Sequence, residues 1–325
     1  MQLIFLGTSS GAPTRYRNVS GLALSLPGRK DWVLIDCGEG TQHRLLQLPL
    51  SPLRLRAICI THVHGDHCYG LPGLLASAAL NGRVEPLTLI GPAPIHAYLQ
   101  AVMATTELQL EFPVRFVDVA QLPDAFELDD FEVSAWPLSH RVPSFGFRFV
   151  ERRVPLRLQI DRLERDGIPR GPIWGALQRG ETVVLTDGRE ARSVDYTEPA
   201  WRARRVVVGG DNDRPGLLAA ACQDADLLVH EATYDAETLA RIGPEPMHSS
   251  AEAVAAFAAS QALPNLILTH FSPRYQHGGG RGLPLECLER EARESYGGTL
   301  YLAADFDRFE LGRDGRLQRT GPPYD

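Results

Sequence analysis

The sequence predicts an α/β protein whose strands end in metal-type ligands. Several short apolar runs have the length of buried strands, and they cover 56–61, 131–136, 205–208 and 265–269. Each run is followed within a few positions by a histidine or an aspartate. The segment 250–257 instead has the pattern of an amphipathic helix. A rigid sheet edge that carries ligands on its loops fixes coordination geometry well, so we expect the ligands to share one edge.

The most informative segment follows the first of these runs. In it, His62, His64, Asp66 and His67 occupy four of six consecutive positions. Neutral imidazole and carboxylate are the ligands that zinc and similar divalent metals prefer. A hydrophobic core would not tolerate so many ionisable groups without partner charges. The alternative of a random histidine-rich loop is less favoured, because a buried strand leads directly into the cluster.

Composition and charge narrow the class of protein. The chain has 325 residues, a net charge of −7 and 44% hydrophobic residues, which fits one large domain with an insertion. The charge argues against a nucleic-acid-binding surface over the whole molecule but permits a local basic patch. No apolar run has the length of a membrane span, and no signal peptide is indicated. Five cysteines without a Cys-x-x-Cys spacing fit reduced thiols, so we expect a cytoplasmic protein.

The order of the ligand-type residues resembles the pattern of the metallo-β-lactamase superfamily. The motif His-x-His-x-Asp-His is followed at a distance by a further His, Asp and His. The resemblance implies a four-layer αβ/βα sandwich, with two β-sheets face to face and helices outside. It also implies two zinc ions per chain, held by His62, His64 and His140 on one side and by Asp66, His67 and His270 on the other, with Asp211 bridging both. Two such ions suit the displacement of a phosphate ester.

Further motifs resemble ribonuclease Z, the tRNA 3′-processing endoribonuclease of that superfamily. These motifs are the N-terminal loop 13–18, the His-Glu-Ala-Thr loop 230–233, the His-Ser-Ser loop 248–250 and the glycine-proline segment 167–175. The resemblance implies an inserted, protruding arm at about 151–182 that binds tRNA. It implies catalytic roles for Asp66, His248 and Glu231, and substrate contacts from Arg15, Arg17, Asn18, Gly171, Pro172 and Arg274. The alternative is that His230 and Glu231, at the end of a strand, have a purely structural role.

The function implied by the resemblance is removal of the 3′ trailer from precursor tRNA by metal-activated hydroxide attack, with a 3′-OH left on the tRNA. Members of the family are homodimers, and no membrane partner is expected. The main alternative is a small-molecule phosphodiesterase or arylsulfatase-like hydrolase of the same superfamily, which typically lacks the arm. A third hypothesis is a metal-bound interaction module without catalysis. The complete set of seven ligand positions argues against this hypothesis.

Two departures from the family pattern are visible in the sequence. Asn212 follows the expected bridging aspartate, where the family usually has threonine. We expect that change to affect the hydrogen bonds that orient the metal ligands more than metal binding itself. The arm region is also neutral, since nine arginines between 151 and 199 are matched by nine acidic residues. We therefore expect only a modest electrostatic contribution of the arm to RNA binding. For Asp36, a hydrogen bond to a ligand histidine and a simple turn-capping role are both open.

Overall fold

The structure, a computed structural model, describes residues 1–276 and 282–321. The chain forms two compact units. The larger unit comprises Met1–Val150 and Arg204–Asp325, and the smaller unit comprises Glu151–Ala203. Strands and helices are numbered along the chain.

The first sheet of the larger unit has eight strands. They are β1 (Gln2–Gly7), β2 (Gly21–Ser25), β3 (Trp32–Ile35), β4 (Leu55–Cys59), β5 (Leu87–Gly91), β6 (Val114–Asp118), β20 (Arg308–Leu311) and β21 (Leu317–Gly321). Their order is β21-β20-β1-β2-β3-β4-β5-β6. Strands β3 to β6 pair in parallel, and the others pair antiparallel.

The second sheet has seven strands. They are β7 (Phe126–Leu128), β8 (Phe131–Leu138), β9 (Ser144–Glu151), β14 (Arg205–Val208), β15 (Leu227–Glu231), β16 (Asn265–Thr269) and β19 (Thr299–Leu302). Their order is β19-β16-β15-β14-β9-β8-β7. Because β14, β15, β16 and β19 are parallel, their carboxyl ends meet at one edge of this sheet.

The two sheets pack face to face over one apolar core, and helices cover their outer faces. The alternation of the strands explains this arrangement. In β14, Val206 and Val208 enter the core between the sheets, whereas Val207 contacts the helical layer on the other face. In β3, Val33 and Ile35 face the core between the sheets, and Leu34 faces the helices of the first sheet. Side chains of a strand point alternately to its two faces, so both sheets are buried on both sides. The predicted αβ/βα sandwich is confirmed.

The helices of the larger unit are mostly short. They are α1 (Thr41–Leu45), α2 (Gly65–Cys68), α3 (Leu71–Leu80), α4 (Ala93–Thr106), α8 (Ala236–Ile242), α9 (Ala251–Ser260) and α10 (Glu286–Ser295). Short 3₁₀ turns lie at Pro52–Arg54, Val119–Gln121 and Pro215–Leu218, and β17 (Tyr275–Gln276) pairs with β18 (Leu283–Pro284). Over the described ranges, no helix is both long and apolar enough to span a bilayer.

The smaller unit has its own apolar core. It contains β10 (Leu156–Leu158), α5 (Ile160–Arg165), α6 (Pro172–Gln178), β11 (Thr182–Val184), β12 (Glu190–Arg192), α7 (Ser193–Tyr196) and β13 (Thr197–Pro199). Strand β10 pairs with β13, and β11 pairs with β12. The core is formed by Leu163, Ile168, Leu177, Leu185 and Ala191. The unit extends to Ala203, beyond the stretch of about 151–182 expected for an arm, because the later strands pair back onto the earlier ones.

Candidate metal centre

Three overlapping groups of ligand-type side chains lie near the ends of strands β4, β8, β14 and β16. The first group contains His62, His64, His140 and Asp211, the second contains Asp66, His67 and His270, and the third contains Asp211, His248 and His270. Within each group the candidate donor atoms all lie within 4.8 Å of one another. The structure therefore brings together all seven side chains that the sequence singles out as ligands, although they come from distant parts of the chain.

The imidazole nitrogens of these groups face one another directly. His64 Nδ1 lies 3.1 Å from His62 Nε2 and 3.2 Å from His140 Nε2. In the second group, His67 Nε2 lies 3.1 Å from His270 Nε2. Nitrogen lone pairs at this separation repel unless a proton or a cation lies between them. The donor set and its convergence therefore fit bound divalent cations.

The carboxylate of Asp211 lies between the first two groups. Its Oδ1 is 3.4 Å from Nε2 of His67 and 3.4 Å from Nε2 of His270. Its Oδ2 is 3.6 Å from His62 Nε2 and 3.7 Å from His140 Nε2. The side chain is buried, and the positive charge that it faces on several histidines holds its pKa far below the usual range although burial alone would raise it. Each oxygen thus serves one group, as a bridging ligand requires.

The second ring nitrogen of four of these histidines is already occupied. The partners are Thr61 Oγ1 for His62 Nδ1 (3.0 Å), Asp36 Oδ2 for His67 Nδ1 (2.7 Å), Met247 O for His140 Nδ1 (3.0 Å) and Thr233 Oγ1 for His270 Nδ1 (3.1 Å). Such contacts fix the ring orientation and leave Nε2 free for a metal. Asp36 also accepts a hydrogen bond from the Thr61 amide at 2.8 Å, so it orients a ligand histidine and secures the turn before the cluster.

A second functional cluster lies beside the first. His248 Nδ1 is 3.1 Å from Glu231 Oε1 and 3.9 Å from Asp211 Oδ2. Glu231 is fixed by further donors, because the Ser249 amide (2.9 Å) and the Thr233 amide and hydroxyl (2.9 and 2.7 Å) all donate to its carboxylate. Burial alone lowers the pKa of His248, but the charge of Glu231 and its hydrogen bond raise that pKa to about 9. Glu231 therefore favours the cationic form of His248, and it contacts Nδ1 and not Nε2.

Local helix capping fixes the segment that carries His248. Ser250 is the N-cap of α9, and its side chain accepts a hydrogen bond from the amide of Ala253 at 3.2 Å. Met247 has a positive φ of 53°, a backbone conformation that is costly for a residue other than glycine. This conformation accompanies the contact of the Met247 carbonyl with His140. The sequence offers no signal for that contact, because any residue supplies a carbonyl oxygen.

The N-terminal loop reaches the cluster through its backbone. The Gly11 amide donates to Asp66 Oδ2 at 2.7 Å. Arg17 is buried, and its guanidinium donates to the carbonyls of Ser272 (3.1 Å) and Tyr275 (2.6 Å), in the loop after His270. The side chain of Asn18 is also turned inward, where its amide donates to Glu39 O at 2.9 Å.

The remaining candidate substrate contacts are exposed. Arg15 lies on the surface of the N-terminal loop, and Arg274 lies on the surface with its guanidinium 5.9 Å from the ring centre of Tyr234. The Tyr234 ring centre is 6.1 Å from that of His248, so Arg274 borders the metal centre. Gly171 and Pro172 are exposed at the start of α6 in the smaller unit, where Gly171 has a φ of 131°.

Sequence comparison decides the family. A ribonuclease Z from Marinobacter nauticus is 49% identical over 321 residues, which cover 98% of this chain and 99% of the relative. A ribonuclease Z from Pseudomonas putida is 50% identical over 320 residues, which cover 98% of this chain and 99% of the relative. The chain belongs to the ribonuclease Z family.

A comparison with solved structures agrees with this ribonuclease Z assignment in fold. The crystal structure of the short form of human tRNase Z superposes with a TM-score of 0.67 at 27% identity, and the match covers 96% of this chain and 100% of that chain. The family model described as Anti-Pycsar protein Apyc1 matches residues 1–156. The resemblance seen in the sequence is thereby confirmed, and the His/Asp groups are compatible with the metal cofactor that the ribonuclease Z family implies.

One ribonuclease Z motif residue has a role that sequence reasoning does not assign. Thr233 is the threonine of the His-Glu-Ala-Thr loop, and its hydroxyl contacts Glu231, His248 and His270 at 2.7, 3.4 and 3.1 Å. A single hydroxyl therefore links the cluster around His248 to a candidate metal ligand. Its place in the motif is the only signal in the sequence, because a threonine at the end of a strand is ordinarily a structural residue.

Proposed function

We propose that this protein is a metal-dependent endoribonuclease that removes the 3′ trailer from precursor tRNA and leaves a 3′-OH on the tRNA. The observation that carries the proposal is the seven-ligand centre divided by Asp211, in a chain aligned over nearly its whole length with proteins named ribonuclease Z. Relatives named for this activity, and not the fold alone, favour it over other hydrolases of the superfamily.

The cofactor in this proposal is two zinc ions per chain. His62, His64 and His140 would hold one ion, Asp66, His67 and His270 would hold the other, and Asp211 would contact both. When bound, two such ions lower the pKa of a water nucleophile and neutralise charge that develops on the phosphate during displacement. Imidazole and carboxylate donors in closed groups of three plus a shared oxygen fit zinc better than magnesium, which prefers oxygen ligands.

The residues of the chain then perform the proton transfers. Asp66 keeps its carboxylate ionised, since burial alone raises its pKa but His67 and His270 depress it strongly, so it can accept a hydrogen bond from the attacking water. Cleavage that leaves a 3′-OH breaks the bond between phosphorus and O3′, and this oxygen needs a proton. His248 can donate that proton from Nε2, because Nδ1 faces Glu231. Glu231 fixes the ring and favours its cationic form.

Replacement of His248 tests this assignment. His248→Ala should lower kcat on precursor tRNA by ~10²–10⁴-fold, the usual range for loss of a general acid. Zinc content should stay normal, because His248 is not among the seven expected ligands. The loss should shrink on an aryl phosphodiester whose leaving group needs little protonation. Steady-state rates on both substrates are the measurement.

The exposed His96 on α4 provides the matched control for that experiment. His96 lies outside all of the motifs described above, so His96→Ala should change neither rate. Equal losses for His248→Ala on the tRNA and on the aryl substrate would argue against an acid role and for a purely structural one.

Substrate contacts in the proposal come from two regions. Arg15 and Arg274 are exposed guanidinium groups that can pair with phosphates near the scissile bond. Arg17 and Asn18 support this surface from within, since both tie the N-terminal loop to neighbouring loops. Gly171 and Pro172, in the smaller unit, would contribute to an arm that binds tRNA away from the reacting phosphate.

The proposal includes a homodimer that acts in the cytoplasm. All five cysteines are unpaired, which fits a reducing compartment. The support for a dimer is an apolar surface around a groove between α1 and α3. Leu45, Leu46 and Leu74 line this groove, Leu46 is 83% exposed, and Leu80 at the end of α3 is 89% exposed. A second copy of the chain that covered these leucines would remove their apolar surface from water.

Substitution of two exposed leucines tests the proposed dimer. Leu46→Glu combined with Leu80→Glu should convert a dimer into a monomer, because each charge would be buried in the interface. Light scattering coupled to size-exclusion chromatography measures the mass. Leu217→Glu, at an exposed leucine of the Pro215–Leu218 turn, is the control and should remain dimeric. A monomeric wild-type protein at micromolar concentration would contradict this part of the proposal.

Mapping of product ends tests the main proposal. Incubation of the zinc-loaded protein with end-labelled precursor tRNA should give one cut 3′ of the discriminator nucleotide, with a 3′-OH on the tRNA and a 5′-phosphate on the trailer. If precursor tRNA stays intact while small aryl phosphodiesters are hydrolysed, the protein is instead a small-molecule phosphodiesterase of the same fold.

A further inference from the structure

The side chain of Asn212 lies next to the expected bridging ligand and is fully buried. Its Oδ1 accepts hydrogen bonds from two backbone amides, those of Ser139 (3.3 Å) and Arg214 (3.1 Å). Backbone amides are donors only, so these contacts fix the orientation of the side-chain amide. The Nδ2 group must then point away from them, toward His230, whose Nε2 lies 3.2 Å away.

The hydrogen bonds of His230 fix its tautomer. Its Nδ1 lies 2.7 Å from the carbonyl oxygen of Glu231, which can only accept. Nδ1 therefore carries the proton, and Nε2 is a bare acceptor for the Asn212 amide. The ring is fully buried, and this burial lowers its pKa, which agrees with a neutral imidazole. Each contact described for the pair therefore joins a donor to an acceptor.

The backbone of Asn212 extends these links to the cluster around His248. Its amide donates to Glu231 Oε1 at 3.3 Å, and its carbonyl accepts from Ser249 Oγ at 2.6 Å. Through side chain and backbone, Asn212 thus ties its own loop, which carries Asp211, to the end of β15 at Glu231 and to the loops that carry His140 and His248.

Tight packing leaves little freedom for the pair to move. A Cβ atom added to Gly209 would lie 3.1 Å from His230 Cδ2, so the imidazole ring rests directly against the glycine. A Cβ atom added to Gly210 would lie 2.8 Å from the carbonyl oxygen of Phe145, so the chain before Asp211 is also confined. The position of Asp211 is therefore set by contacts on both sides, and Asn212 supplies the polar ones.

We propose that Asn212 and His230 form a positioning pair that fixes the Asp211 loop against Glu231, and thereby couples the metal centre to the proton-transfer residues. This inference rests on the proposed function only for its activity readout, because zinc retention can be measured whether or not the protein cleaves tRNA. A threonine at position 212, as ribonucleases Z usually carry, would have to meet these partners with one hydroxyl, whereas asparagine offers a separate amide donor and carbonyl acceptor.

A double-mutant cycle tests the pair. Asn212→Ala and His230→Ala should each weaken zinc retention against a chelator, and lower kcat on a small aryl phosphodiester, by ~10–100-fold, the range for loss of an outer partner of a metal site. KM should change little, because neither residue reaches the surface. The double variant should lose no more than the worse single variant, since either change breaks the same link.

A buried asparagine elsewhere in the protein provides the control. Asn265 on β16 is equally buried, and its Nδ2 donates to the carbonyls of Asp226 (2.6 Å) and Gly315 (2.9 Å). Asn265→Ala should lower the melting temperature without changing zinc retention or kcat. If Asn212→Ala does not fold, Asn212→Leu keeps the branched shape of the side chain without its donor or acceptor and should show the same losses.

Three outcomes overturn the positioning pair. One is wild-type zinc retention and kcat in Asn212→Leu, and another is additive losses in the double variant. The third is a loss in Asn212→Ala no larger than in Asn265→Ala. Failure of the proposed function has a different signature, because precursor tRNA would then stay uncut by the wild-type protein while the zinc-retention cycle still reports on the pair.

Discussion

Asp211→Ala should remove most of the metal from both sites, and with it the activity. Each carboxylate oxygen faces two imidazole nitrogens, at 3.4 Å on one side and at 3.6 and 3.7 Å on the other. Loss of this one side chain therefore takes a ligand from both groups. It also leaves five converging histidines with Asp66 as the one remaining carboxylate among the candidate ligands. The fall in kcat should exceed the ~10–100-fold that loss of an outer partner causes.

Elemental analysis of the purified protein measures this effect. Wild-type protein should contain two zinc ions per chain, and Asp211→Ala should contain far less than one. His270→Ala is the informative comparison, because His270 belongs to the second group only and its loss should weaken mainly one ion. Asp314→Ala removes an exposed aspartate and should keep both ions. A wild-type stoichiometry of one, together with a metal-replete Asp211→Ala variant, would overturn the binuclear assignment.

The convergence of the ligands is the part of the site that local sequence predicts best. Strands β14 and β16 begin and end where their apolar runs do, and Asp211 and His270 follow them. Parallel strands bring such positions to one edge, so spacing along the chain is sufficient information. In the same way, the first histidine cluster follows strand β4 and the two residues Ile60 and Thr61 after it.

The contacts that support the site are less predictable, because they join residues distant in sequence. Met247 O orients His140 across 107 positions, and any residue offers a carbonyl there. Arg17 looks like a phosphate ligand in sequence, yet it is buried against carbonyls some 255 positions away. The C-terminal boundary of the smaller unit is also hard to predict from local sequence. It depends on the pairing of β10 with β13, which neither strand's sequence reveals by itself.

The smaller unit has an unusual charge arrangement for an RNA-binding element. Five of its arginines pair with acidic neighbours within the unit: Arg157 with Glu198, Arg170 with Glu164, Arg179 with Glu181, Arg189 with Asp187, and Arg192 with Asp195. Exposed ion pairs of this kind contribute little to stability, so a phosphate can displace a carboxylate at small cost. The compensating charges nevertheless remain nearby. The salt dependence of tRNA binding should accordingly be shallow, with a slope corresponding to a few phosphate contacts.

Removal of the whole smaller unit should abolish efficient tRNA cleavage and leave the metal centre intact. Val150 and Arg205 are register partners in the antiparallel pair of β9 and β14, so a short Gly/Ser linker can join them as a hairpin. Excision of 155–180 alone would be a poorer design, because it would leave β13 unpaired and strip the core around Leu185. None of the seven candidate ligands lies in the unit.

The expected result follows from the position of the unit in the chain and from its separate core. Zinc content and the hydrolysis of a small aryl phosphodiester should stay near wild-type values. Cleavage of precursor tRNA should fall sharply, mostly through a higher KM, if the smaller unit supplies the tRNA-binding contacts proposed for it. Within the intact protein, Arg165→Ala should raise KM more than Arg192→Ala, since Arg165 has no acidic partner among the described residues, whereas Arg192 is paired with Asp195. Undiminished tRNA cleavage after removal of the unit would show that tRNA is recognised by the larger unit alone.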